Sequence, residues 1–244
     1  MKTWIPFWNI LLKDMKNYYL KPPNISWGII FPFAWMLMMF LKTKTAFNIE
    51  EIFPGIVTMS ILFGSTSMLA VTITFERKSR SFERLLLAPI SIESLVFAKI
   101  SGAIVFGIFN SLIPILLSIL YFKLEITNYL VLFTGVILLS IVSTMLGLFI
   151  SVAAKEVFEA QTYSNFFRFP MIFLCGLFVP VVALPIFIRP ISFLLPITYG
   201  VDLLRSTITD GALLPSLANI VILVVFISLL FSLSIYNIKK KWII

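Results

Sequence analysis

The chain has 244 residues, 60% of them hydrophobic and only 12% charged, with a mean hydropathy of +1.05. Soluble domains carry about 25% charged residues, so this composition excludes an ordinary water-soluble enzyme and predicts an integral membrane protein. The formal net charge of +8 would suggest nucleic acid in a soluble protein. Here the cations flank apolar runs, where contact with anionic headgroups of membrane lipids accounts for them, and no nucleic-acid partner is expected.

In chain order, residues 4–19 place Trp4, Trp8, Leu11, Leu12, Met15 and Tyr19 at helical spacing, with Lys13, Lys16 and Asn17 opposite. This predicts an amphipathic helix within 3–21 lying in the membrane interface, tryptophans at headgroup depth, ended by Pro22-Pro23. Lys13, Asp14 and Lys16 interrupt any signal-peptide core, so no cleavable signal is expected. A first span follows over about Ile25–Leu41, then a polar loop and a second span over about Ile52–Phe75. The run Glu76–Pro89 is the densest charge in the chain, with Arg77, Lys78, Arg80, Glu83 and Arg84. It reads as a water-facing cytoplasmic hinge, because such charge does not sit in hydrocarbon.

Ser91 and Glu93 suit the start of the next helix, and the third span runs over about Leu95–Tyr121 with Pro114 inside it. The fourth, about Tyr129–Ala154, carries Ser143, Gly147 and Ser151 at four-residue steps, a close-packing face within the subunit or against another copy. The fifth is expected over about Ala160–Val179. Residues 180–211 hold Pro180, Pro185, Pro190 and Pro196 among apolar residues. That stretch is too broken to span and too apolar for water, which predicts a re-entrant helical hairpin on the outer side. The last span is about Leu217–Ile238, closed by Lys239, Lys240 and Lys241. Six spans put both termini on one side. The larger share of Lys and Arg then lies with the termini and the hinge, so the positive-inside rule makes that side cytoplasmic. The fold class expected is an all-α, multi-pass membrane protein with six transmembrane helices and one domain, 1–244.

Candidate chemistry is sparse. The chain has no histidine, which removes the usual metal ligand and the side chain suited to acid–base work near neutral pH. Cys175 is alone, so no intrachain disulfide forms, and its apolar run makes it a structural thiol. No phosphate-binding Gly-x-x-x-x-Gly-Lys-Ser/Thr loop is present. No catalytic residue, metal or cofactor is therefore expected in this chain. The acidic residues all fall at or outside the expected span ends, which weakens ion-coupled transport. On the fifth span Gln161, Asn165 and Arg168 share one helical face. Either that face lines a path and meets the polar part of a substrate, or Arg168 snorkels to the inner headgroups. Asp202 and Arg205 are spaced to pair on a helix. The segment Phe82–Leu87 is either a short amphipathic knob for a partner's groove or a solvated loop that only sets topology.

The stretch Glu76-Arg-Lys-Ser-Arg-Ser-Phe-Glu-Arg-Leu-Leu-Leu-Ala-Pro-Ile-Ser91 resembles the loop after the second helix in permeases of type 2 ATP-binding-cassette exporters. Phe169-Pro170 to Cys175-Gly176, Phe178-Val179-Pro180, Leu184-Pro185 and Leu195-Pro196-Ile-Thr-Tyr199-Gly-Val-Asp202-Leu-Leu-Arg205 resemble the same family's fifth helix and re-entrant turn. One departure is Arg80, where the family usually has Gly. The resemblance implies a half-transporter, paired with a second permease subunit, identical or related, over two separate ATPase subunits that hold the ATP and Mg. It implies ATPase coupling through the loop 76–94 by Glu76, Arg77, Glu83, Arg84 and Pro89. It also implies an extracytoplasmic gate around Pro180, Tyr199, Asp202 and Arg205, and export of a hydrophobic or amphipathic substrate (drug, peptide, lipid or lipid-linked glycan). The rival readings are an ATPase-independent channel or secondary carrier, and a non-transporting scaffold.

Overall fold

The computed structural model describes residues 4–42, 48–86, 91–209 and 211–242. Among them the regular structure is helical throughout, with no strand. Helix α1 (Trp4–Asp14) widens into a π turn, Met15–Tyr19, before α2 (Pro22–Lys42). Pro22 and Pro23 therefore open the second helix rather than merely ending the first, since a proline in the first turn forfeits no intrahelical bond. Then come α3 (Ile49–Lys78), the short α4 (Ser81–Leu86), α5 (Ile92–Leu120), α6 (Tyr129–Ala153) and α7 (Val157–Leu174). A 3-10 turn at Val181–Ala183, α8 (Arg189–Phe193), α9 (Pro196–Arg205) and α10 (Ser216–Trp242) complete the chain.

Polar side chains set the starts. Asn48 accepts from the Glu50 amide at 3.0 Å, Ser91 from the Ser94 amide at 3.2 Å, and Asn128 from the Leu130 and Val131 amides at 3.1 and 3.2 Å. Each satisfies donors that a helix start leaves unpaired. Helix α5 continues through Pro114 to Leu120. Among the described residues four helices, α3, α5, α6 and α10, are long and apolar enough to cross a membrane. Helix α2 supplies a shorter apolar stretch, Gly28–Met38, and α7 has 18 residues.

Two expected boundaries move. Helix α3 continues past Phe75 to Lys78, so Glu76 and Arg77 stand on its last turn and not in a water-facing loop. Helix α7 stops at Leu174 and does not reach Val179, because Gly176 takes φ +80°. A glycine in the left-handed region just past a helix end terminates the helix at little cost.

Helix α3 is the central post, packed against α2, α5, α6, α7 and α9, and nearly all of it is buried. Its approach to α6 is close. A Cβ added at Gly147 would lie 2.4 Å from the Thr66 carbonyl oxygen. The Thr66 hydroxyl donates to the Ser143 carbonyl at 3.0 Å. The small-residue face of the fourth span is thus used inside the subunit. Helix α10 stands at the rim against α6 and α9, with much of its surface bare.

Candidate coupling and transport site

The hinge after α3 is built from strained backbone and a small apolar pad. Arg80 takes φ +55°. That is the left-handed conformation a glycine adopts freely and an arginine only at a cost of roughly 1–2 kcal/mol. The turn lets α4 fold back, where buried Phe82 packs with Ile10 of α1 and Leu95 and Ala98 of α5. Arg84 is exposed on α4. Glu83 lies on α4 but its side chain, like the whole of Pro89, falls outside the described residues.

Beneath α4 lies an ionic cluster that joins three helices. Glu76, Asp14 and Lys99 are fully buried. Lys99 pairs with Asp14 at 3.0 Å and with Glu76 at closer range. Lys13 bridges the same two carboxylates, 2.6 Å from Glu76 and 3.1 Å from Asp14. Burial disfavours charge on Lys13, but the hydrogen bond from Lys13 to Glu76 and the attraction of Asp14 outweigh it and hold its pKa above that of an ordinary lysine. With two cations facing two anions, no net charge is left in the low-dielectric interior, which is the arrangement that makes burial tolerable. Two expectations are corrected here. Glu76 is an internal anchor, not a solvent-facing hinge residue, and Lys13 turns inward instead of lining the solvated side of α1. The apolar residues Trp8 and Leu12 form the bare side of that helix.

Arg77 extends the anchoring to a fourth helix. Its guanidinium donates to the Ser151 and Ala154 carbonyls, each at 3.3 Å. These lie at the C-terminal end of α6, where carbonyls lack helical partners and the dipole favours a cation. Lys78 pairs with Glu156 at the surface, at 3.4 Å.

On α7 the expected polar face splits. Gln161 is exposed and Asn165 half-buried, whereas Ser164 and Arg168 point inward. Arg168 is only 2% exposed. It donates to Asn165 Oδ1 at 2.6 Å and to the Ser164 carbonyl at 3.3 Å, and its guanidinium lies 4.2 Å from the centroid of the Phe63 ring on α3. An acceptor on its own helix and a ring on the next one hold it inside the bundle.

The segment between α7 and α10 is tied by hydrogen bonds between side chains and backbone. Asp202 and Arg205 do not pair with each other. The Asp202 carboxylate accepts from the Leu213 and Leu214 amides at 2.7 and 3.0 Å and from Asn219 Nδ2 at 2.8 Å, binding α9 to the turn before α10. Backbone donors beyond the end of α9 outcompete a neighbouring guanidinium because the loop brings two of them to one carboxylate. Arg205 instead donates to the Gly176 carbonyl at 2.8 Å, the residue that ends α7. The Tyr199 hydroxyl donates to the Phe193 carbonyl at 2.7 Å, and the Pro180 carbonyl accepts from the Ala183 amide at 2.9 Å in the 3-10 turn. Between and around these bonds Val182, Ile186, Phe187 and Leu194 remain bare.

The structure therefore gathers Glu76 and Arg77 at one end of α3, and Asn165 with Arg168 further along the bundle. It leaves Gln161 apart. Sequence reasoning missed Asp14, Lys99 and Asn219. Lys99 carried a signal, being a lone cation a few residues inside an apolar run, where charge needs a partner. Asp14 and Asn219 carried none.

Comparison with known proteins gives the family. The inner membrane transport permease YadH of Escherichia coli (strain K12) is 22% identical over 232 residues, which is 92% of this chain and 91% of that permease. The YadH permease of Shigella flexneri matches to the same degree. A family model for the ABC-2 type transporter matches residues 6–209, from α1 through α9, and the chain accordingly belongs to the ABC-2 type transporter family.

Proposed function

We propose that the chain is the membrane half-subunit of an ATP-driven exporter. Six helices, α2, α3, α5, α6, α7 and α10, cross the membrane with both termini in the cytoplasm, and α8 and α9 form a re-entrant outer cap. A second permease subunit, identical or related, stands beside it. Two copies of a separate ATPase, which bind the ATP and Mg, sit beneath and engage α4. The substrate is hydrophobic or amphipathic and passes along the α7 face that carries Gln161 and Asn165, and Pro180, Tyr199, Asp202 and Arg205 hold the outer gate.

The observation that carries this reading is the mounting of α4. A six-residue helix with an exposed arginine has no stability by itself. Here it rests on Phe82 against α1 and α5 and directly follows α3, whose end the four-charge cluster and Arg77 fasten to α1, α5 and α6. A loop that only sets topology needs no such foundation. A push on α4 is instead delivered to α3 and shared among its neighbours, as a lever between two packings requires.

The test is an Arg84→Glu variant, co-expressed with the ATPase. Arg84 is exposed, so folding and membrane insertion should match wild type. Association with the ATPase and substrate-stimulated ATP hydrolysis should fall at least tenfold. Wild-type hydrolysis and transport by that variant would remove α4 from the coupling role, and a permease that moves cargo in vesicles lacking any ATPase would end the exporter reading.

A further inference from the structure

Resting on the exporter reading, we propose that the substrate is an anionic amphiphile, with Arg168 as the counter-charge for a phosphate or carboxylate carried on an apolar body. Among the described residues Arg168 forms no ion pair. The acid on its own helix, Glu159, accepts instead from the Lys155 amide at 2.8 Å. Its three contacts are an amide oxygen, a carbonyl oxygen and an aromatic face, none of which carries a formal charge. The contrast with Lys99 is direct: that buried cation has two carboxylates. An uncompensated cation inside a membrane protein is costly, and such residues face a partner or a pathway.

Position supplies the rest. Arg168 sits beneath the open side of α7, where Phe166 and Phe169 are exposed on either side of it in sequence and Asn165 lies half-buried one turn away. An apolar body laid along Phe166 and Phe169 brings its head to Asn165, whose Oδ1 is held by the guanidinium. Exchange of that amide acceptor for a phosphate or carboxylate replaces a neutral acceptor with a charged one. It also offers the planar two-donor geometry for which guanidinium is suited. A cationic head meets repulsion at the same place, so the site discriminates by sign of charge.

The experiment uses the full chain with its ATPase in phosphatidylcholine nanodiscs. The probes are dodecyl phosphate, dodecyltrimethylammonium and inorganic phosphate, each below micellar concentration, read by thermal shift of the permease and by ATPase turnover. Dodecyl phosphate should bind at least ten times more tightly than dodecyltrimethylammonium, and inorganic phosphate alone should bind far more weakly than dodecyl phosphate. Arg168→Gln should abolish the preference and Arg168→Lys should retain part of it. Equal binding of the two dodecyl probes to wild type overturns the proposal even if Arg168→Gln does not fold. So does an unchanged preference in a folded Arg168→Gln, or competition by inorganic phosphate as strong as that by dodecyl phosphate. Charge preference with no ATPase association sinks the exporter reading and leaves the anion site standing. ATPase association without charge preference sinks only the anion site.

Discussion

Lys99→Met removes one cation from the cluster that fastens α1 and α5 to the end of α3. Wild type has two cations, Lys13 and Lys99, facing Asp14 and Glu76. The variant leaves two buried carboxylates to a single lysine that is itself partly solvated. Breaking a buried pair by deleting one partner costs about 3–5 kcal/mol, whereas replacing both partners with apolar or neutral groups is often near neutral. For a chain of this size that loss lowers Tm by roughly 6–20 °C, at about 2–4 °C per kcal/mol. The informative measurement is a double-mutant cycle in detergent with Lys99→Met, Glu76→Gln and the double variant, read by thermal unfolding. The double variant should lose less than the sum of the two single losses, by a coupling of at least about 1–3 kcal/mol. Limited proteolysis should find α1 released in Lys99→Met and retained in the double variant. A Lys99→Met protein within 2 °C or so of wild type, or strictly additive losses, would falsify the claim that the cluster anchors the end of α3.

Three further outcomes are expected. Arg80→Gly should raise stability by about 1 kcal/mol, because glycine adopts φ +55° without the steric cost, and Arg80→Val should lower it; thermal unfolding of both checks the sign. Gly147→Ala should destabilise by about 1–3 kcal/mol, since the new methyl meets the Thr66 carbonyl oxygen at 2.4 Å and neither backbone can withdraw; the loss should persist in a detergent-purified single subunit. Asp202→Ala should cost about 1–3 kcal/mol by stranding the Leu213 and Leu214 amides, and it should speed proteolytic cleavage between α9 and α10, which a comparison of digestion rates reads directly.

Much of the fold was legible because oil and caps agree along the chain. Helices α3, α5, α6 and α10 coincide with apolar runs, and Ser91 was visible as the start of α5. The end of α7 was not, because hydropathy continues past Leu174 while the turn at Gly176 breaks the helix through backbone conformation alone. The site was half legible. Glu76 and Arg77 were picked out, but as loop residues, since charge normally marks the edge of a span. The burial of Glu76 depends on Lys13, Asp14 and Lys99 arriving from α1 and α5, and the placing of Arg77 on the end of α6; no local pattern records a contact between such distant positions. Likewise the spacing of Asp202 and Arg205 suggested a pair. The geometry that sends one to the turn before α10 and the other to Gly176 exists only once the segment between α7 and α10 has folded.

The enclosure of α3 limits how this protein can move. A shaft gripped along its length by five neighbours, with the α6 backbone pressed against it at Gly147, cannot swing inside its own sleeve. Any thrust applied at its Lys78 end must tip the whole bundle as a block, and the slack has to be found at the outer surfaces of the bundle.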